Sequence, residues 1–192
     1  MRWNEFNRLL VHARQANSIA RRYFVTNGFD GALTMLGLMV GFHTSGAVSL
    51  PVAIQACLGA AVALLMSGLS SAYLSEYAEK KREMHKLEHA LLSDLSESDY
   101  GRASRLIPII VALVNGLSPL LVSLLIILPL WFAKQGVQLP WSPFVFSIAV
   151  ALGLIFLLGV MLGRLSREFW LWSGLRTLLV GGLTVVIIYS FN

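Results

Sequence analysis

"LIPIIVALVNGLSPLLVSLLIILPLWF", residues 106–132, runs for 27 residues without a charged side chain. A helix needs about 20 apolar residues to cross the hydrocarbon of a bilayer, so this stretch reads as a membrane span. Working outward, four further segments read the same way: 23–42, 51–75, 142–163 and 169–190. The bulk numbers agree, since 56% of the 192 residues are hydrophobic, 13% are charged and the mean hydropathy is +0.70. Soluble domains carry about a quarter charged residues. The expectation is an all-α integral membrane protein with five transmembrane helices in a single membrane domain, 1–192. Nothing is left over for a separate soluble domain of ordinary size.

Charge placement predicts orientation. The segments "HTSGAVSLP" and "AKQGVQLPWSP", between the first and second and the third and fourth spans, hold one basic residue, Lys134. The other fourteen of fifteen lie before the first span, between the second and third, or around the last connection. By the positive-inside rule the N-terminus is cytoplasmic, and a multi-pass protein of the plasma membrane is expected. The formal charge of +5 then reports topology, and no nucleic-acid partner is expected. Residues 1–22 show no apolar core with a small-residue cleavage site. Trp3, Phe6, Leu10, Ala13 and Asn17 recur at helical spacing with arginines opposite, as in an amphipathic helix on a membrane surface. Cys57, the single cysteine, falls in an apolar run and reads as packing.

The first span is the chemically unusual one. In "TNGFDGALTMLGLMVG", residues 26–41, an acid stands among residues suited to lipid. At about 100° per residue, Asn27, Thr34, Gly37 and Gly41 share a face with Asp30, and Met35 and Met39 lie opposite. A carboxylate at bilayer depth must face protein or a water-filled path, and Gly31, Gly37 and Gly41 are candidates for close helix packing. The second span offers Ala63, Ser67, Ser70, Ser71 and Leu74 over roughly a third of its circumference. Carboxylate, amide and hydroxyl oxygens together suit a hard or borderline divalent cation, or a proton. The candidate path is therefore Asp30, Asn27, Thr34, Ser67 and Ser71, with Met66 as a soft donor.

From Ser75 the chain turns charged but stays strongly helix-forming, "SEYAEKKREMHKLEHALLSDL". The second span is expected to continue as a cytoplasmic helix and return through "SDLSESDYGRAS", making a helical hairpin over 75–105. Glu76, Glu79 and Glu83 share a face, and His85, Glu88 and His89 follow at spacings that can converge on a metal. The interleaved Lys80, Lys81, Arg82 and Lys86 allow a solvated, ion-paired helix instead. No phosphate loop, nucleophile triad, paired catalytic acids or zinc spacing is present, so an enzyme is not expected.

Taken in order, "NGFDGALTMLGLMVG", "SAYLSEYAEKKRE", "NGLSPLL" (Gly116, Pro119) and "WLWSGLRTLLVGGLTVVIIY" resemble the spans of the vacuolar iron transporter (VIT/CCC1) family of divalent-metal transporters. The resemblance implies a homodimer whose metal path is lined by the first two spans, with Asp30 on the family's first-span aspartate. It implies proton-coupled export of Fe²⁺ or Mn²⁺ from the cytoplasm, with Zn²⁺ or Co²⁺ as alternatives, and no permanently bound cofactor. Two departures stand out. Gly68 and Ala72 fall where the family carries a methionine and a glutamate, and the stretch after Glu83 is too short for the cytosolic metal-binding domain of many members. A non-transporting scaffold or sensory protein on the same fold is the alternative.

Overall fold

The computed structural model describes residues 3–191, with side chains from residue 21 onward. The described chain forms five helices: α1 (Trp3–Ser45), α2 (Leu50–Leu91), α3 (Asp99–Lys134), α4 (Pro143–Leu165) and α5 (Trp170–Ser190). Four of them, α2 to α5, are long and apolar enough to cross a membrane. The first is less apolar, because Asn27 and Asp30 interrupt its hydrophobic run. This is a multi-pass, all-helical membrane protein. The amphipathic face expected over residues 1–22 lies almost wholly outside the described side chains, although the backbone of α1 is helical from Trp3.

Local chemistry sets the helix ends. The first loop turns at Gly46, whose φ is +65°. After it, Ser49 precedes α2 and a proline occupies the first helical turn, where a missing N–H costs nothing. At 1.5 Å per residue, the 42 residues of α2 reach about 63 Å, roughly twice the hydrocarbon thickness. The charged part from Ser75 therefore projects beyond the apolar part without a break. The helix stops at Leu92, which adopts a left-handed conformation (φ 50°). Ser98 then caps α3, its hydroxyl accepting the Gly101 N–H at 3.1 Å. A Cβ at position 101 would collide with the carbonyl oxygens of Leu95 and Ser96. The return turn is consequently shorter than the sequence suggests: it spans 92–98, and α3 begins at Asp99.

From Val25 to Val40, α1 packs one side into the core. Val25, Met35, Leu36, Met39 and Val40 are fully buried against Ile126, Ile127 and Leu130 of α3 and Ile155 of α4. Met35, Met39 and Cys57 are thus core packing. Helix α2 lies along α3 and touches α1 little. Helices α4 and α5 form a close pair built on small residues. A Cβ at Gly159 would collide with Thr177, one at Gly163 would lie 2.6 Å from Ser173 Cβ, and one at Gly174 2.6 Å from Phe156. The Thr177 hydroxyl donates to the carbonyls of Gly174 (2.8 Å) and Ile155 (3.1 Å). Small residues and a shared hydroxyl are how helices associate where lipid removes the hydrophobic driving force. The many exposed leucines of α3 and α5 are the lipid-facing side of the same arrangement.

Candidate functional site

Three helices meet at one node. Pro119 has no N–H, so the Asn115 carbonyl loses its helical donor. At this break both neighbours bring glycines onto the α3 backbone. A Cβ on Gly31 would lie 2.7 Å from the Pro119 carbonyl oxygen and 2.8 Å from its Cα. A Cβ on Gly68 would lie 2.9 Å from the Asn115 oxygen and from Gly116 Cα, and one on Gly116 2.8 Å from the Leu65 oxygen. Side chains then close the node. Asn27 donates to the Asn115 side-chain oxygen and to the Tyr23 carbonyl (2.8 Å), and Asn115 donates to the Gly68 carbonyl at 2.8 Å. The Ser118 hydroxyl donates to the Phe24 carbonyl. Asn27 therefore works as a clasp between helices.

Pro119 lies at the midpoint of the apolar stretch 106–132. Gly31 touches it, so Asp30, the preceding residue, lies at the middle depth of the span. Asp30 and Thr34 are exposed on the outer face of the protomer, one turn apart. Among the described residues, no side chain is within hydrogen-bonding or ion-pairing distance of the Asp30 carboxylate. The rest of the polar stripe divides: Asn27 and Gly37 are half-buried, Gly37 facing Ile188 at ordinary contact distance, and Gly41 has open space beside it. On α2, Ser67 and Ser71 are exposed, and Met66 is exposed on a different side, beside α3. Gly68 and Ala72 face α3, Ala72 packing with Val111 and Ala112.

The expected metal-gathering residues of the hairpin are engaged separately. Glu76 accepts from the Tyr23 hydroxyl at 3.1 Å, tying α1 to α2. Glu83 is bound by Lys80 at 2.7 Å and by the Tyr100 hydroxyl at 3.2 Å. The Lys80 bond holds its carboxyl below the usual range. Burial pulls the Lys80 ammonium down, but Glu83 more than offsets this and raises it. Glu88 accepts the Leu95 N–H at 3.2 Å across the turn and lies 3.9 Å from His85. Glu79 and His89 are exposed. No three His, Cys, Asp or Glu side chains among the described residues come together as a metal-holding group. Asn115 and Tyr23 were missed at the sequence level. An asparagine within an otherwise apolar span was the signal that could have flagged the first.

Comparison with known proteins places the chain in a family. The VIT family profile matches residues 85–191, covering the end of α2 and all of α3 to α5. The chain is also 29% identical over 170 residues to an uncharacterized protein of Methanocaldococcus jannaschii, MJ0645, an alignment covering 87% of this chain and 85% of the relative. No solved structure matches. With the family profile spanning more than half of its length, the chain belongs to the VIT family.

Proposed function

We propose that the protein exports a divalent transition metal, Fe²⁺ or Mn²⁺, from the cytoplasm across the plasma membrane in exchange for protons, as a homodimer. Asp30 is the centre of the path. The observation that carries this reading is the position of Asp30, at mid-depth on the outer face of the protomer, without a partner among the described residues. Facing lipid, an acid there would cost at least about 2.5 kcal/mol. A second copy laid on the same face by two-fold symmetry would shield both acids and bring their oxygens toward one axis. Carboxylate and hydroxyl oxygens from Asp30 and Thr34 suit a hard or borderline cation. The same carboxylate oxygens take protons, so metal and proton compete for one site, as exchange requires. The exposed Glu79, His85 and His89 would draw cations toward the mouth of the path. The charge asymmetry of the loops supports a cytoplasmic N-terminus.

The test is Mn²⁺ and Fe²⁺ flux in proteoliposomes carrying an internal pH dye, native protein against Asp30→Ala and Asp30→Asn. Metal-dependent proton movement, lost in both variants with folding retained, is the expected result. Native-rate flux in either variant removes Asp30 from the mechanism. One observation favours a second reading, a non-transporting scaffold: Gly68 and Ala72 are committed to packing on α3 and offer no ligand. That reading predicts no flux from the native protein at any pH.

A further inference from the structure

Two hollows lined by α2 and α3 lie one after the other along these helices and make up a furrow. Its membrane part is an apolar groove of about 340 Å³ lined by Met66, Leu69, Tyr73, Ile109 and Leu113, among others. Beyond it toward the hairpin lies a second cavity of about 230 Å³, whose lining includes Tyr77, Lys80, Lys81, Ser104 and Arg105. The two belong to one feature. On α2, residues 66, 70, 73, 77, 80 and 84 follow one another by three or four, with 69 and 81 flanking them, and form one helical stripe. On α3, residues 105, 109 and 113 do the same. The apolar part ends where α2 leaves its hydrophobic stretch near Ser75, and the basic part begins there. Tyr73 and Tyr77 stack at the junction, ring centroids 5.9 Å apart, at the level where membrane proteins place aromatic belts.

The charges at the mouth are unequal. Lys80 is neutralised by Glu83 at 2.7 Å, and Glu88, also in the lining, is engaged by the Leu95 N–H and lies near His85. Lys81 and Arg105 have no carboxylate at ion-pair distance among the described residues; Arg105 reaches only the Ser96 carbonyl, at 3.5 Å. An apolar slot running about 10 Å along α2, opening at headgroup level onto Lys81 and Arg105, two cations without an ion-pair partner among the described residues, has the polarity of a phospholipid with a net negative headgroup.

We propose that this furrow is a binding site for an anionic phospholipid, an acyl chain lying between Met66 and Leu113 and the phosphate against Lys81 and Arg105. It is separate from the Asp30 path. Met66 lies about 100° around α2 from Ser67 and about 140° from Ser71, so lipid and partner subunit can occupy different sides of the helix. Lipid retained here would brace the α2–α3 hairpin from the side opposite the α1–α3 core.

Native mass spectrometry of the detergent-solubilised protein, titrated with phosphatidylglycerol and with phosphatidylcholine, tests this. Selective phosphatidylglycerol adducts are expected, weakened about five-fold by each of Lys81→Ala and Arg105→Ala. Leu113→Trp, which fills the apolar groove and leaves the cations, is expected to weaken them as well. Equal binding of the two lipids overturns the proposal. So does an Arg164→Ala control on α4 that loses as much as Arg105→Ala, because binding would then follow general surface charge. Competition by inorganic phosphate as effective as that by the lipid also overturns it, leaving a phosphate site without an acyl component.

Discussion

Gly31 and Asp30 are neighbours in sequence and point about 100° apart on α1. That angle separates packing from chemistry. Gly31 is pressed on the Pro119 backbone, and its missing Cβ is what allows the contact. Gly31→Ala must push two helices apart, an overpacking cost of about 1–3 kcal/mol. Gly41 has nothing within 4 Å of its would-be Cβ, so Gly41→Ala should hold or raise stability, by up to about 1 kcal/mol of helix propensity. Thermal melting of the two variants in detergent checks the contrast, and an equal loss from both would show that contact with Pro119 is not the constraint. The glycines look alike in the sequence, since each shares or borders the polar stripe. Only the partner backbone tells them apart.

Among the elements, α3 is the one the others are built on. Its interior prolines, Pro108, Pro119 and Pro129, release carbonyls that would be costly in lipid unless neighbouring helices cover them. The Asn115 carbonyl is covered by Gly68, an approach that suits a weak Cα–H contact. The Asn115 side chain adds the hydrogen-bonded clasp from α1 to α2. Asn115→Ala should cost about 1 kcal/mol, the usual worth of an interhelical hydrogen bond in a membrane, and should loosen α2 more than the α4–α5 pair. Hydrogen exchange resolved by helix reads this directly. In the hairpin, Glu83 is the titrating tie. Its lowered pKa means that the tie is present at neutral pH and is lost as pH falls through the lowered value. The partner Lys80 is raised, so from its side the tie is lost only as pH rises through the raised lysine value. The amides of 80–100 should therefore stay equally protected across neutral pH and exchange faster only under acid conditions. Because the pair is partly exposed, Glu83→Gln should cost less than about 1 kcal/mol at neutral pH.

At the scale of the molecule, the protomer exposes polar side chains on a surface that lipid cannot cover cheaply: Asp30 and Thr34 on α1, with Ser67 and Ser71 also exposed on α2. A two-fold partner is the occupant proposed for it. Thr34→Cys should then form a disulfide between copies under mild oxidation, because residues near a two-fold axis meet their own equivalents. Met66→Cys, on the furrow side, should not. The native Cys57 is fully buried and does not interfere. Non-reducing gel electrophoresis separates the outcomes, and cross-linking at Met66→Cys without Thr34→Cys would move the interface to the furrow.

The sequence by itself determined the class of protein and the element order. Length and hydropathy are properties of contiguous segments, and a bilayer selects helices by those properties alone. It also singled out Asp30, because an acid within an apolar run is improbable without a use. Tertiary structure decided how each polar residue is spent: Asn27 on a clasp to Asn115, Glu76 on Tyr23, Glu83 on Lys80 and Tyr100, and Asp30 left open on the outer face. Helical spacing assigns residues to a face of their own helix, but which helix lies opposite depends on contacts between residues far apart in the chain. The glycine–proline node of α1, α2 and α3 sets those contacts, and no single segment contains it.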